Sequence, residues 1–525
     1  VQAGQPVAAT VTKPTGRHRD NADMSIVLPN ASGPLAAIDI GSNSFRLEIG
    51  QMQHGRYRRI DYLKDTVRLG AGLDANGFLQ EEAAQRGLRC LQRFALRLAG
   101  FQPMQVRAVA TQTLREARNR NAYLERAQQA LGYSVDVISG REEARLIYAG
   151  VAQLQPSSLP RLVIDIGGRS TEMILGQART PRVAESFRVG SVSLSMQYFP
   201  GGQLSDAAFR AAQIAAGAEL EEALVPFAPA HWQEALGSSG TVGAVSQVLA
   251  ANGVTDGRIT PQALAWCITR CIEAGHIDRM QFAGLKDERR PVLPGGLAIL
   301  YTLCTHFGIN ELMPAKGALR QGVIIDLHER LEAQRRAQPL DVRDASTAEL
   351  QQRFHVDVTQ AQRVQHVALA LYDGLRGGDD GVDAARELGW AAELHELGMM
   401  VSHHDHHRHS AYLLAHVDAA GFSQSQQRRL ADLVLAQRGG LRKIETLLQQ
   451  PGFALQALCL RLAVIRCHAR IDDDTPRLQL QRGADDALHL SWRPAKLPLN
   501  PRTLHLLREE AAVWARSGVL RLVLP

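Results

Sequence analysis

The chain has 525 residues, 45% of them hydrophobic and 21% charged, the balance of an ordinary soluble protein too long for one hydrophobic core. Lys and Arg total 59 against 53 Asp and Glu, a formal charge of +6 that suits a polyanionic ligand without demanding one. No run of about 18 apolar residues predicts a membrane span. The six cysteines (Cys90, Cys267, Cys271, Cys304, Cys459 and Cys467) form no CxxC pair, so they read as reduced core thiols of a cytoplasmic protein.

Residues 1–33 are rich in Gly, Pro and Thr, lack an apolar signal core, and read as a disordered leader. An internal repeat follows. LAAIDIGSNSFRLEIGQ (Leu35 to Gln51) and RLVIDIGGRSTEMILGQ (Arg161 to Gln177) match at a constant offset, pairing Asp39 with Asp165, Gly41 with Gly167 and Ser44 with Ser170. Each copy reads as an apolar strand, a turn of small residues and a second strand, that is, a hairpin. Such turns bring backbone N–H groups and hydroxyls close to phosphate oxygens. The candidate phosphate-binding residues are Gly41, Ser42, Asn43 and Ser44 in one turn and Gly167, Gly168, Arg169, Ser170 and Thr171 in the other. The acid ending each first strand, Asp39 or Asp165, is positioned to hold Mg²⁺ directly or through water.

Between the copies lie a third strand, GRYRRIDYL, and the helix EEAAQRGLRCLQRFALRLAG, with Ala84, Leu88, Leu91, Phe94, Ala95 and Leu98 on one face. The strand VRAVAT leads into TQTLREARN, which sets Arg115 just past a strand end, where its planar fork suits a phosphate oxygen. SVDVISG, another strand, runs into REEARLIYAGV. This puts Glu142 and Glu143 in a first helical turn, with Glu142 expected to cap the helix or face solvent. Residues 326–350 read as helix plus linker, and from about 359 the pattern is helical, with Val364, Val367, Ala368 and Leu371 on one face. The run His403, His404, His406, His407 and His409 reads as a polar interhelical loop contributing to a channel for a polyanionic ligand rather than as a metal site. Residues 476–525 read as a small α+β module with strands LQLQRG, ALHLSWRP and VLRLVLP and the helix PRTLHLLREEAAVWARS.

The duplicated DIG-x-x-S pattern resembles the actin, hexokinase and Hsp70 superfamily. That implies two ribonuclease-H-like domains of the α/β class, 34–146 and 147–325, with a central cleft. The blocks ATQTLREARN, ISGREEARLIYAGV, LVIDIGGRSTEMILG, FRVGSVSLS, ALGSSGTVGAV and VLPGGLAIL narrow this further. In order and spacing they resemble the exopolyphosphatase/guanosine pentaphosphatase (Ppx/GppA) family over about residues 35–325. The resemblance implies that Glu143 is the general base, that Asp165 and Glu172 are the main Mg²⁺ or Mn²⁺ residues with Asp39 beside them, and that the protein is a homodimer. It also implies a helical HD-like domain over 326–475 without catalysis of its own, since His395-Glu396 stands where a His-Asp pair belongs, with His366 the earlier histidine of that pattern. Gly237, Ser238, Ser239, Gly240 and Thr241 look like a further loop lining the cleft, touching a base, a distal phosphate or nothing. One departure is Arg169, where the family has a third glycine. It either takes a left-handed backbone or reaches into the cleft as a phosphate ligand.

The expected activity is Mg²⁺-dependent release of terminal orthophosphate from inorganic polyphosphate. The alternative is pppGpp 5'-phosphohydrolysis, or both; no nucleic-acid or membrane partner is expected. An ATP-dependent kinase of the same superfamily and a silent nucleotide sensor are the remote alternatives.

Overall fold

Each DIG segment folds as an antiparallel hairpin at the heart of a sheet. The computed structural model describes residues 33–336, 341–375, 382–450, 452–471, 477–493 and 499–525. Apart from residue 33, the expected leader lies outside them. In the first domain, β1 (Leu35–Ile40), β2 (Phe45–Gln53), β3 (Arg56–Asp65), β4 (Val106–Ala110) and β5 (Val135–Val137) form one sheet in the order β3-β2-β1-β4-β5. In the second, β6 (Pro160–Ile166), β7 (Thr171–Gln177), β8 (Thr180–Phe187), β9 (Glu234–Gly237) and β10 (Met313–Pro314) repeat that order as β8-β7-β6-β9-β10. The pairings of β2 with β3 and of β7 with β8 carry a register shift at the same place, Ile49/Gly50 and Leu175/Gly176.

Strand alternation then fixes which residues meet between the domains. Ala36, Ile38 and Ile40 of β1 pack outward with the helix Glu81–Arg97, and Leu162, Ile164 and Ile166 of β6 pack outward with helices of the second domain. Leu35, Ala37 and Val163 instead join a central core shared by both sheets. Asp39 and Asp165 continue that inward-facing series, as do Arg46 and Glu48 on β2 and Glu172 on β7.

The central layer is built from two helices, Gly140–Leu154 and Leu319–Arg336, packed against each other between the sheets. They approach closely because glycines face backbone: a Cβ on Gly150 would lie 2.4 Å from Ala318 O, and one on Gly322 only 1.7 Å from Leu146 O. The expected divisions at 146/147 and 325/326 fall inside these helices, so both join the domains rather than belong to one.

The C-terminal part is helical, as expected, from Val342–Arg353 to Phe453–Arg466. Strands β11 (Arg477–Arg482), β12 (Leu488–Arg493) and β13 (Leu522–Val523), with the helix Pro501–Ser517, match the expected tail. Its Leu480, Leu490, Leu507 and Trp514 are buried in one core with Leu458 and Leu462 of the helical part. The histidine run departs from a loop: His403 and His404 are exposed, whereas His406 and His407 are buried at the start of the helix His406–His416. His366 is exposed, His395 bonds the Ala392 carbonyl at 2.6 Å, and the Glu396 carboxylate is held by Arg470. Among the described residues, no three of His, Cys, Asp and Glu are grouped to hold a metal ion. All six cysteines are free and buried, and no described helix is long and apolar enough to cross a membrane.

Candidate active site

The turns of the two hairpins meet at the mouth of the central layer. A Cβ on Gly168 would lie 3.1 Å from the Ser42 Cβ, so the loops touch across the domain boundary. The first loop is fixed by Gly70 N and Arg68 N, which donate to the Ser42 and Asn43 carbonyls at 2.7 and 2.8 Å. The second is fixed by the start of the helix Ser191–Tyr198, where Ser191 N donates to the Gly167 carbonyl at 3.0 Å and Val192 N to that of Gly168 at 2.8 Å. This accounts for the VGSVS block as the brace of the second loop.

Between the loops and the central helices lies a cavity of about 370 Å³. Of the residues expected at the site, Asp39, Gly41, Ser42, Asn43, Ser44, Glu143, Asp165, Gly167, Gly168, Ser170, Ser238, Ser239, Gly240 and Thr241 line it. Arg115, Arg169, Thr171, Glu172 and Gly237 stand outside its lining. Thr171 donates to the Val189 carbonyl at 2.6 Å, a role in the fold. Ser239 caps the helix Gly240–Ala251 by accepting from Thr241 N and Val242 N.

Glu143 enters through the N-terminus of the helix Gly140–Leu154, which Ser139 caps by accepting from Glu142 N at 3.1 Å. Its Oε2 accepts from Arg115 Nη1 at 2.8 Å. Arg115 is further held by Gln112 Oε1 at 2.8 Å and the Ile138 carbonyl at 3.0 Å. Its Nη2 is buried without a hydrogen-bond partner, and so is the Ser44 hydroxyl. Burial pushes the Glu143 carboxyl above the usual range, with Arg115 opposing the shift and Asp39 adding to it. Asp165 is pushed up to about 7 by burial, with a Ser238 hydrogen bond opposing and Glu143 adding. Glu172 is raised well above its usual range by burial, then by Glu143 and Asp165. Buried acids that raise one another are a donor set short of positive charge, and hard carboxylate oxygens fit a divalent cation that keeps several waters.

Sequence reasoning missed the cations of the opposite wall: Arg46, Arg59, Lys64, Arg289, Lys316 and Arg320 all line the cavity, with Tyr62 among them. Arg46 and Lys64 stand directly across from each other on β2 and β3, a like-charge pairing offset by Asp39, which Arg46 bonds at 3.2 Å, and by Glu288, which Lys64 bonds. The GRYRRIDYLKD strand carried the signal, since Tyr62 and Lys64 fall on one face, but the register that sets Lys64 against Arg46 depends on where the turn falls. Arg320 reaches from the central helix to Glu48 at 3.1 Å and lies 5.3 Å from the centroid of the Tyr62 ring.

Two expectations are corrected. Glu142 neither caps nor faces solvent: it is 2% exposed, paired with Arg145 at 2.7 Å, and accepts from Gly421 N of the helical part at 2.9 Å. Its neighbours Arg107, Arg145 and Arg330 converge on Asp326 at 2.6, 2.6 and 2.7 Å. Arg169 has no left-handed backbone and does not line the cavity; it pairs with Glu116 of the first domain at 2.8 Å.

Residues 49–331 match the Ppx/GppA phosphatase family, and residues 342–511 match Ppx/GppA phosphatase, domain III. A guanosine-5'-triphosphate,3'-diphosphate pyrophosphatase of Pseudoalteromonas atlantica is 40% identical over 405 residues, covering 77% of this chain and 79% of that one. Among solved structures, an exopolyphosphatase from Cytophaga hutchinsonii shares the fold with a TM-score of 0.52 at 22% identity, over 59% of this chain and 100% of that one. An exopolyphosphatase-like protein does so with a TM-score of 0.52 at 23% identity, over 57% of this chain and 99% of that one. With two facing phosphate loops, a buried acid beside an arginine and these matches in hand, the chain belongs to the Ppx/GppA phosphatase family and is a phosphoanhydride hydrolase.

Proposed function

We propose that the protein releases the terminal 5'-phosphate of pppGpp to give ppGpp, and that inorganic polyphosphate is a second substrate of the same site. The reading is carried by the 2.8 Å pair of Arg115 and Glu143 at a cleft into which both phosphate loops project. In-line hydrolysis needs a group that orients a water and accepts its proton, and a buried carboxylate with a raised pKa suits that task near neutrality. Glu143 takes this role. Arg115 opposes the upward push of burial on that carboxyl, and the Arg115 Nη2, which has no partner in the protein, is the donor left for a phosphoryl oxygen. The loops Gly41–Ser44 and Gly167–Thr171 grip the phosphoryl group from opposite sides, with the unspent Ser44 hydroxyl as one donor. Asp165 and Glu172 would hold Mg²⁺ or Mn²⁺ with waters completing its shell, while Asp39 beside them is paired with Arg46. When bound, such an ion neutralises phosphate oxygens as the bridging bond breaks.

Two observations favour pppGpp over the long chain ranked first on sequence alone. The 40% identical relative bears the name of that activity. The cleft also has cations belonging to neither loop, Arg59, Lys64, Arg289 and Lys316, beside the Tyr62 ring. A nucleotide with phosphates on both its 5' and 3' sides offers two anionic arms and a base to stack. The expected homodimer belongs to the same proposal and is checked by light scattering.

The test is phosphate release with Mg²⁺ from pppGpp and from long-chain polyphosphate, side by side, for the native protein and Glu143→Gln. Release should fall by about 10³ in the variant, and the ratio of native kcat/KM values names the preferred substrate. No release from either substrate sinks the reading. Transfer only to an added acceptor would make the protein a kinase, and tight binding without turnover a sensor.

A further inference from the structure

Arg169 begins a chain of hydrogen bonds that crosses the domain boundary and ends on Glu143. Arg169 Nε donates to Glu116 Oε2 at 2.9 Å. Gln112 Nε2 donates to the other oxygen of that carboxylate at 2.6 Å. Arg115 Nε donates to Gln112 Oε1 at 2.8 Å, and Arg115 Nη1 donates to Glu143 Oε2 at 2.8 Å. Arg169 belongs to the β6–β7 turn of the second domain, whereas Gln112, Arg115 and Glu116 form one short helix of the first.

We infer that Arg169 is a positioning residue: by holding Glu116 across the domain boundary, it sets the orientation of Arg115 and, through it, of the Glu143 carboxylate. This rests on the hydrolase reading of Arg115 and Glu143. The physical basis lies in Gln112, whose side-chain amide has a donor end and an acceptor end. With a carboxylate fixed on one side, the amide must turn its NH₂ there and its oxygen towards Arg115. Without that acid in place the amide can rotate, setting a donor against the guanidinium. The guanidinium is planar, so holding Nε and Nη1 also fixes the direction of Nη2, its free donor.

The surroundings are shaped for Arg169. Its Nη1 also donates to the Gly70 carbonyl at 3.2 Å, giving it a second hold on the first domain. A Cβ on Gly70 would lie 2.9 Å from Arg169 Cδ, and a Cβ on Gly190 would lie 2.3 Å from Arg169 N. Both neighbours are therefore glycines where the backbone and stem of Arg169 pass. Because its contacts lie on the other domain, the chain depends on the two domains being held together as they are here.

The experiment uses the full chain, with Arg169→Gly, Arg169→Lys, Glu116→Gln and the double variant Arg169→Gly/Glu116→Gln. Steady-state phosphate release from pppGpp is measured with Mg²⁺, and amide hydrogen exchange is measured across residues 111–118. Arg169→Gly should lower kcat about tenfold while KM moves less than about twofold, a split that general loosening of the site would not give. The double variant should be no slower than the worse single one, because both break one chain. Arg169→Lys should recover part of kcat, keeping the charge but not the fork. Native kcat in Arg169→Gly, or single effects that multiply in the double variant, would overturn the inference. If the native protein releases no phosphate, the hydrolase reading falls first. Exchange then decides alone: a rise of about fivefold at 111–118 in Arg169→Gly retains the positioning link, and an unchanged rate removes it.

Discussion

Arg46 and Glu172 occupy the same position in the two copies of the repeat: Arg46 stands directly across from Asp39, and Glu172 directly across from Asp165. The first hairpin thereby neutralises its acid internally, through a 3.2 Å bond. The second sets two buried acids face to face, a pairing that opposes itself unless a cation joins it. One duplicated scaffold has become two unlike halves, one supplying a cation of its own and the other setting acid against acid.

That asymmetry predicts which half governs metal dependence. Glu172→Gln should raise the Mg²⁺ concentration for half-maximal phosphate release about 10- to 100-fold. Arg46→Gln should leave that concentration near native and act on KM instead. Titrating rate against free Mg²⁺ checks both, and a chelator should stop release by the native protein.

Asp326 is the acid on which three buried guanidinium groups converge, and their charge holds its carboxyl well below the usual carboxylate range, against its own burial. Asp326→Asn leaves those cations undercompensated and should cost about 3–5 kcal/mol. Urea unfolding of native and variant protein measures this. Glu142→Gln should be milder, because Asp326 still faces Arg145 at 2.6 Å.

Gly322 is where the central helices touch. A Cβ there would fall 1.7 Å from the Leu146 carbonyl, in the helix that carries Glu143. Gly322→Ala should cost at least about 1–3 kcal/mol by forcing the helices apart. It should also lower kcat more than it raises KM, since the displaced helix bears Glu143, the proposed base. Gly243→Ala, where added atoms meet nothing within 4 Å, is the matched control.

The buried pair His406 and His407 predicts an acid limit for folding. Burial pushes both rings down to about 4. His406 faces Arg438, Glu396, His395 and His403, and His407 faces Lys443, Asp405, Arg438 and His406. In the unfolded chain each binds its proton near 6.5, so between pH 6.5 and 4 the unfolded state holds more protons than the folded one. Stability should therefore fall as pH drops through that window. Denaturation midpoints at steps of pH should show a shallower slope in His406→Gln/His407→Gln.

The fold was legible where chemistry repeats locally. The DIG-x-x-S copies name both sheets and both loops, and period-2 alternation already puts Asp39, Arg46, Asp165 and Glu172 on the inner faces. What could not be read are contacts made by folding itself. Glu142 looks like any first-turn acid until Gly421, 279 residues away, donates to it. Arg169 looks like a loop residue until Glu116 meets it from the other domain. The histidine run divides between solvent and core because a helix begins within it, at His406. In each case the partner lies on another element, and no local pattern encodes which element that is.

Gly421 has a wider consequence. Its N–H ends on Glu142 and its carbonyl accepts from Arg330 at 2.8 Å, so one residue of the helical part plugs both poles of the charge network beneath the helix that carries Glu143. Its φ of +84° suits glycine alone, and a side chain would strike Arg343. Recombination between relatives that exchanged the helical part without this residue would leave an acid and an arginine beneath the Glu143 helix without their shared cover. Inheritance of the two parts is thus coupled at positions that touch no substrate.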